Sequence, residues 1–290
     1  MYRPPAQEEM ENGACLGWRS TFPPAWSGGA LIFPAFAAAI LFMPAIASAQ
    51  QTDSDVAAQL ANPVSSLISV PFQNNLDYGG GSGNAFRYTL NLQPVIPIRL
   101  SDDWNLITRT ILPISHYERV FDNHRTGFGD ITQSFFLSPS RPNEAGVTWG
   151  AGPVVLYPTA TEGLGQRQWG GGVTGVLLQQ RGPWIYGALA NHIWSLGGTP
   201  DRAQDINATF LQPFINYVTP SQTTYFLNTE STYDWSLGRW TVPINIGANQ
   251  LVNMGGQRAQ IGGALRYFAE TPSGGPGWGL RFNLVFVFPR

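Results

Sequence analysis

The side chains that could do chemistry are few, and His192 with Ser195 is the pair to consider first. A histidine three residues before a serine supplies the residue types that a phospholipase uses for acyl transfer. His192 also shares the alternating register of Trp184, Tyr186 and Trp194, which predicts a position at a lipid interface that requires no chemistry. We therefore expect a protein that is not an enzyme.

The sequence has no pattern that is typical of a metal site or of a nucleotide-binding loop. Asp102, Asp103 and Asp130 have no clustered partners at the spacing of a metal site. The glycine groups at 79–81 and 170–172 lack the lysine and the helix that follow a phosphate-binding loop. The sequence therefore predicts no metal site and no cofactor, and it assigns these glycines to a flexible loop and to a strand.

Charged and amide side chains alternate with apolar ones in several segments. A symmetric hairpin around residues 81–83 pairs Asp77 with Arg87, and opposite charges directly across two strands attract each other. By the same reasoning, the next turn brings Gln93 opposite Arg109. The residues that we expect to face the interior are Asp77, Arg87, Gln93, Arg109, Glu230, Arg258, Arg266 and Arg281.

Two interpretations of this arginine-rich set stay open. In a water-filled pore, the arginines would favour anions or the polar groups of a solute. In a narrow, closed lumen, the same side chains would form hydrogen-bonded struts across the interior. A barrel of about twelve strands is wide enough for either a pore or a packed plug.

The positions of these residues follow from an alternation of apolar and polar side chains with a period of two. Between residues 68 and 78, the even positions carry Ile, Val, Phe, Asn, Leu and Tyr, and the odd positions carry Ser, Pro, Gln, Asn and Asp. The last segment alternates in the same way from Trp278 to Phe288. Since successive side chains of a strand point to opposite faces, each segment predicts a strand with one apolar and one polar face.

About twelve such strands, each long enough for a tilted crossing of a bilayer, are predicted. They cover residues 68–78, 86–98, 104–117, 128–138, 147–157, 169–180, 184–195, 207–218, 223–233, 239–249, 258–268 and 278–288. An even number lets an antiparallel barrel close with both termini on one side. The predicted fold class is all-β, an antiparallel transmembrane β-barrel of about 12 strands preceded by a signal peptide.

The connections and the tryptophans also favour a membrane barrel. Most connections after odd-numbered strands are long and rich in glycine, whereas residues 101–103 and 180–183 form tight turns; segments 138–146 and 234–239 depart from this asymmetry. A soluble β-sandwich would share the alternation, but it seldom needs aromatic residues at so many strand ends. The tryptophans near predicted strand ends, as in interfacial girdles, are Trp104, Trp149, Trp169, Trp184, Trp194, Trp240 and Trp278.

The composition limits the partners. Of the 290 residues, 12% are charged, and all 16 basic residues are arginine. With a net charge of -2, the chain offers no surface for a polyanion, so we expect no nucleic acid partner. Beyond Gln50, no apolar run approaches the ~18 residues of a spanning helix, so any membrane insertion must use strands.

The first 49 residues have the features of an export signal. Residues 30–45 are nearly all apolar, and a basic residue precedes them. The tripeptide 47–49, Ala-Ser-Ala, has the small-x-small form that a signal peptidase cleaves. We therefore predict a signal peptide at residues 1–49 and a barrel domain at residues 50–290, so that the mature protein loses Cys15 and has no thiol.

Several long phrases are similar to those of one family of outer-membrane proteins. They include NPVSSLISVPFQNN from Asn62, GFGDITQSFFLSP from Gly127, WGAGPVVLYPTAT from Trp149 and GWGLRFNLVFVFP from Gly277. Over nearly all of residues 60–290, the chain resembles the outer-membrane β-barrel family grouped with the meta-pathway of phenol degradation, whose members are often labelled transporters. The resemblance implies uptake of hydrophobic aromatic compounds, and it supplies no catalytic or ligand residues.

The sequence therefore predicts a channel or transporter of the bacterial outer membrane for small solutes, hydrophobic or aromatic compounds among them. The alternative is a structural or adhesive outer-membrane barrel with a plugged lumen that transports nothing. The expected partners are outer-membrane lipid, the barrel assembly machinery during insertion and, for a channel, a small-molecule solute. The expected route is export through the periplasm after cleavage of the signal peptide.

Overall fold

A computed structural model describes residues 52–81, 85–120, 124–197 and 205–288. The predicted signal peptide and Cys15 lie outside the described residues. The described residues all belong to one compact unit, Ile46–Arg290. Within these ranges the structure consists of β-strands, their connections and one short helix.

Fifteen strand segments follow the helix α1 (Asp53–Leu60) in the part of the chain that the structure describes. They are β1 (Ile68–Tyr78), β2 (Phe86–Leu92), β3 (Val95–Arg99), β4 (Trp104–Glu118), β5 (Arg125–Phe128), β6 (Ile131–Pro139), β7 (Val147–Tyr157), β8 (Trp169–Arg181), β9 (Trp184–Gly197), β10 (Asn207–Val218), β11 (Thr223–Thr229), β12 (Ser231–Asp234), β13 (Arg239–Met254), β14 (Gln257–Glu270) and β15 (Trp278–Phe288). All pairings between them are antiparallel.

The segments form twelve strands, because β2 with β3, β5 with β6, and β11 with β12 are each one strand interrupted once. The first and last strands pair along their whole length, from Ile68 opposite Phe288 to Tyr78 opposite Trp278. The sheet therefore closes on itself, and the predicted antiparallel barrel of twelve strands is confirmed.

Each interruption lies opposite a proline of the neighbouring strand. Proline has no N–H to donate to the ladder, so a sheet tolerates it best where the pairing is already broken. One hydrogen bond, from a backbone N–H to the proline carbonyl, remains at each break: Gln93 to Pro71 at 2.9 Å, Gly129 to Pro113 at 2.9 Å and Glu230 to Pro243 at 3.2 Å. The breaks are local, and the order of the strands around the barrel is unaffected.

The connections differ between the two ends of the barrel. At one end, which we call the short-turn end, two residues (182–183) join β8 to β9. At the other, the long-loop end, residues 158–168 join β7 to β8 and residues 271–277 join β14 to β15. Two connections depart from this asymmetry, as the sequence indicated: residues 140–146 at the short-turn end and residues 235–238 at the long-loop end.

The outer face of the barrel wall is apolar. Ile246 on β13 and Leu265 on β14 lie opposite each other midway along their strands, and they are 59% and 63% exposed. Val173 and Leu177 on β8 are exposed to a similar degree. Soluble proteins rarely expose apolar patches of this extent, whereas transmembrane barrels carry such a band against the lipid tails.

The tryptophans predicted at strand ends lie at both ends of this apolar band. All are exposed, by 36% to 53%. Those at the short-turn end are Trp104, Trp149 and Trp184, and those at the long-loop end are Trp169, Trp194, Trp240 and Trp278. Several pack on a second aromatic ring, such as Trp278 on Tyr78 with ring centroids 4.8 Å apart. Two aromatic girdles of this kind mark the interfaces of a membrane barrel.

Helix α1 lies inside the barrel at the short-turn end. Its Val56 and Ala57 are buried, and Val64 and Leu67 beyond the helix join the same apolar cluster. The other members come from strands around the circumference: Ile107, Phe136, Val176, Leu178, Ile185, Leu189, Val218, Leu251 and Val287. We call residues 52–67 the plug segment. No helix in the described ranges has the length and apolar character to cross a membrane.

Candidate functional site

An ion pair between Asp77 and Arg266 crosses one intervening strand inside the barrel. Arg266 Nε lies 2.8 Å from Asp77 Oδ1, and the two side chains are 13% exposed for Asp77 and 7% exposed for Arg266. Both residues face Gly279 of β15, Asp77 from β1 and Arg266 from β14. A Cβ at position 279 would lie 2.2 Å from Asp77 Oδ1. Glycine at this position therefore lets the two charges meet.

Glu230 accepts hydrogen bonds from Arg281 at the break between β11 and β12. Arg281 donates from Nη1 to Oε1 at 2.9 Å and from Nη2 to Oε2 at 2.6 Å, which is the bidentate geometry of strong pairs. A second arginine approaches the same carboxylate, with Arg266 Nη1 3.5 Å from Glu230 Oε2. Arg281 is buried and also donates from Nε to Asn75 at 2.7 Å. We call Asp77, Glu230, Arg266 and Arg281 the charge cluster.

Small residues give Arg281 room to reach across the interior. Arg281 lies opposite Ala264 on β14, and Ala264 lies opposite Gly247 on β13. In the adjacent row, Asn245 accepts a hydrogen bond from Arg266 Nη1 at 3.1 Å. The cluster is therefore held by neutral amides as well as by carboxylates, which spreads its hydrogen bonds over several strands of the wall.

Gln93 and Arg109 form a second polar group. Arg109 donates from Nη2 to Gln93 Oε1 at 2.7 Å, and Gln93 donates to Gln73 at 3.2 Å. The register places Val95, and not Gln93, opposite Arg109. The predicted turn at residues 101–103 is present, but the predicted pairing across it was wrong by two residues, and the long side chains of Gln93 and Arg109 bridge the offset.

Arg87 lies opposite Asp77 in the register of β1 and β2, as the symmetric hairpin predicted. Its guanidinium donates to the carbonyl oxygens of Gly79 at 2.8 Å and Gly274 at 2.6 Å, which belong to loops at the long-loop end. Among the described residues, the expected ion pair between Asp77 and Arg87 is not formed, because Asp77 binds Arg266 and the loop carbonyls take the donors of Arg87.

Arg258 lies at the opposite end of the barrel from Arg87 and binds the plug segment. Arg258 Nε lies 2.9 Å from Asp53 Oδ1 of α1. A second polar contact joins the plug segment to β10, where Asn216 donates from Nδ2 to the carbonyl of Ala61 at 3.3 Å. The plug segment is therefore held by apolar packing and by polar contacts with two strands.

A cavity of about 220 Å³, here named the central cavity, lies between the plug segment and the charge cluster. Residues 60–63 of the plug segment line it, and so do Glu230 and Arg281 of the charge cluster. Gln93 and Arg109 line it as well, so four of the eight predicted interior residues border one space. Amide side chains contribute much of the remaining surface, among them Gln73, Gln212, Asn228, Asn249, Gln260 and Asn283.

Asp130 fastens the loop of residues 158–168 to the break between β5 and β6. Its carboxylate accepts hydrogen bonds from the backbone N–H groups of Ala160 at 3.0 Å, Gln166 at 2.5 Å and Arg167 at 3.1 Å. Sequence reasoning considered Asp130 only as a metal ligand and missed this role. The only signal was a carboxylate at a strand break before a long loop, and such a pattern does not name the N–H groups it will bind.

His192 and Ser195 have separate partners. His192 Nδ1 lies 2.7 Å from Thr209 Oγ1, and its ring packs on Trp194 with centroids 4.1 Å apart. Ser195 donates to Gln168 Oε1 at 2.8 Å. The contacts of His192 are thus with Thr209 and with Trp194, the tryptophan that the sequence places in the same register. Among the residues described, no three His, Cys, Asp or Glu side chains come together as a metal site.

Comparison with known proteins yields similar structures. No family model matches the sequence, and no curated protein matches it. An outer membrane channel from Pseudomonas putida F1 is similar with a TM-score of 0.59 and 19% identity, over 77% of this chain and 94% of that chain. A calcium-bound outer membrane phospholipase dimer from Salmonella typhi matches with a TM-score of 0.45 and 12% identity, over 83% and 99%. A Pseudomonas aeruginosa FadL homologue matches with a TM-score of 0.33 and 11% identity, over 77% and 89%.

The class of protein is defined by its fold. The closed sheet of twelve strands, its apolar outer face and the likeness to the Pseudomonas putida channel together define an outer-membrane β-barrel. At 19% identity this likeness concerns the fold alone, and the other two similarities are too low to support an argument. The narrower resemblance to the phenol-degradation grouping stays a prediction.

Proposed function

We propose that this protein is a channel of the bacterial outer membrane for small solutes. The observation that supports the proposal is a polar cavity inside a barrel whose outer face is apolar. An apolar wall suits lipid tails, whereas an interior of amide and arginine side chains suits water and polar solutes. The two faces together match a wall that separates a lipid phase from an aqueous path.

In the proposed orientation, the short-turn end faces the periplasm and the long-loop end faces the outside. Outer-membrane barrels generally have short periplasmic turns and longer extracellular loops. Ile68 and Phe288, the first and last residues of the barrel wall, then lie on the periplasmic side. This arrangement agrees with export across the inner membrane, removal of a signal peptide and insertion by the barrel assembly machinery.

The charge of the interior supports a preference for anions or for solutes with polar groups. Five arginines of the predicted interior set, at positions 87, 109, 258, 266 and 281, accompany the carboxylates of Asp53, Asp55, Asp77 and Glu230. The formal charge of these side chains is 5 - 4 = +1. Charged side chains that line a narrow path select solutes by the sign of their charge.

The size of the central cavity supports a small solute. Its volume of about 220 Å³ lies below the roughly 300–1,000 Å³ of sites that hold drug-sized molecules. Phe214, Phe226 and Val95 supply apolar surface beside the amides. A cavity of this composition agrees with the hydrophobic or aromatic solutes that the family resemblance implies.

Liposome swelling tests the channel. Purified protein is incorporated into liposomes, and swelling is followed in isotonic phenol, a monosaccharide and a disaccharide, with protein-free liposomes as the control. We expect swelling that is fastest for the smallest solutes, because the central cavity holds only a small molecule. Swelling equal to that of protein-free liposomes for every solute would contradict the proposal.

The plug segment supports a second candidate function, a structural or adhesive barrel that transports nothing. Val56 and Ala57 are 1% and 0% exposed, so the interior is filled at the short-turn end. Conductance across planar bilayers separates the two functions when the wild type is compared with a variant lacking residues 52–60. A conducting wild type supports the channel, whereas conductance by the deletion variant alone supports a sealed structural barrel.

A further inference from the structure

We propose that the central cavity is a binding site for one small monocarboxylate with an apolar body, and that Arg109 binds its carboxylate. The inference rests on the proposed channel function, because a solute must be able to reach the cavity. It names the chemical class of solute that the interior holds.

Arg109 is the arginine of the central cavity with donors to spare. A guanidinium has five N–H donors in a planar fork, and within the described ranges the one hydrogen bond of Arg109 joins Nη2 to Gln93 at 2.7 Å. Arg281, in contrast, places three donors on Glu230 and Asn75. The fork of a guanidinium matches the two oxygens of a carboxylate. Arg109 therefore offers the cavity an anion site that the protein itself does not fill.

Glu230 limits the charge of the ligand to one. Its carboxylate lines the same cavity as Arg109. Arg281 neutralises Glu230 through the bidentate pair, so Arg109 supplies the one unbalanced positive charge among the residues that line the cavity, and one negative charge on a ligand balances it. A monoanion therefore fits the cavity better than a phosphate or another dianion.

The apolar body of the ligand has a place across the barrel from Arg109. Arg109 lies on β4, the third of the twelve strands, and Phe214 and Phe226 lie on the eighth and ninth. Both phenylalanines line the central cavity, and so does Leu60 of the plug segment. A ligand with its carboxylate at Arg109 thus extends its apolar end toward these three side chains.

The volume restricts this body to about a single ring or a short chain. The cavity of about 220 Å³ is smaller than the roughly 300–1,000 Å³ of sites that hold drug-sized molecules. Gln73 and Asn249 border the same space and can accept or donate hydrogen bonds to a polar substituent. The site therefore suits molecules such as benzoate, which serves as the probe.

Isothermal titration of the full-length barrel in detergent tests the site. Benzoate is compared with benzamide, which has the same shape without the charge, and with acetate, which has the charge without the apolar body. We expect benzoate to bind one-to-one and more tightly than either. Arg109→Gln is expected to weaken benzoate binding by about ten- to a hundredfold, the loss typical of a hydrogen bond to a charged group.

Three further variants keep the test interpretable. Arg109→Lys retains the charge without the fork and is expected to bind with intermediate affinity, while Arg181→Gln removes an exposed arginine outside the cavity and should leave binding unchanged. A heat-modifiable band on detergent gels reports folding of each variant. Phe226→Ala should reduce the preference for benzoate over acetate.

The outcomes separate this inference from the channel itself. The site is refuted if the folded wild type binds no benzoate, if Arg109→Gln binds it as tightly, or if benzamide or acetate binds equally well. If the liposomes swell but the barrel binds no benzoate, the binding site is refuted and the channel function stands. If the barrel binds benzoate but the liposomes do not swell, the binding site stands and the channel function is refuted.

Discussion

Asp77 and Arg266 form an ion pair over the Cα atom of Gly279, with 2.8 Å between Asp77 Oδ1 and Arg266 Nε. The two residues belong to β1 and β14, which flank β15 and come together only because the sheet closes. Their pairing therefore depends on the tertiary structure, and it joins the first strand to the last two in the interior of the barrel.

Substitution Gly279→Ala is expected to destabilise the barrel. The new Cβ would lie 2.2 Å from Asp77 Oδ1 and 2.7 Å from the backbone oxygen of Leu76, so either the ion pair or the strand must shift. Overpacking of this kind costs about 1–3 kcal/mol in the free energy of unfolding. Urea unfolding in detergent micelles measures the change. Gly277→Ala is the matched control, since a Cβ at that position would have no neighbour within 4 Å, and equal midpoints for both variants would contradict the prediction.

Substitution Glu230→Gln is expected to have a larger effect. It leaves Arg281, whose side chain is 2% exposed, without its carboxylate partner. Removing one partner of a buried pair typically costs about 3–5 kcal/mol in the free energy of unfolding. Asp102→Asn is the control, because the ion pair between Arg99 and Asp102 has side chains 63% and 91% exposed and contributes about 1 kcal/mol or less. Similar losses in the two variants would show that the charge cluster is not a stabilising core of the interior.

Substitution Ile246→Arg tests whether the outer face of the wall lies in lipid. Ile246 is 59% exposed near the middle of β13. An arginine at the bilayer midplane costs about 2–4 kcal/mol, whereas in water the change would be nearly neutral. Stability is measured by unfolding from liposomes. Leu237→Arg, in the connection 235–238, introduces the same residue outside the strands and should change stability by about 0.5 kcal/mol or less. Equal stability of Ile246→Arg and the wild type would argue against a lipid-facing wall.

Substitution Asp130→Ala is expected to release the loop of residues 158–168. The carboxylate accepts three backbone hydrogen bonds from this loop, so its removal leaves those N–H groups without their acceptor. Hydrogen exchange followed by mass spectrometry should show faster exchange over residues 159–167 and little change in β7 and β8. Asp103→Ala, an exposed carboxyl at the short-turn end, should leave the loop protected. Unchanged exchange in Asp130→Ala would mean that other contacts hold the loop.

The wall of the barrel could be predicted from the sequence because lipid and interior impose opposite demands on alternate residues. Every strand must separate apolar from polar side chains, so positions such as Ile246 and Asn245 carry the signal locally. The three strand breaks gave no comparable signal. Prolines lie opposite breaks and also inside continuous ladders, as Pro97 of β3 shows by pairing with Ile107, so their positions alone do not indicate where a ladder stops.

The contents of the interior were harder to predict. Helix α1 has eight residues, and its buried side chains are only Val56 and Ala57, so it has no amphipathic pattern long enough to recognise. The partner of Asp77 could not be found from the hairpin alone, because Arg266 reaches it from two strands away through the closed seam. Contacts made across a lumen depend on the diameter of the barrel and on which neighbours are glycine, and strand periodicity records neither.

The seam between β1 and β15 is the least local pairing of the described sheet. It joins residues about 200 to 220 positions apart in the chain, from Tyr78 with Trp278 to Ile68 with Phe288, so its closure carries a large entropic cost. The plug segment leads directly into β1, and its apolar partners include Val287 on β15. Seam closure and seating of the plug segment are therefore energetically coupled, since each supplies contacts that the other needs. In the folded barrel, the wall therefore surrounds the plug segment, which immediately precedes the first strand.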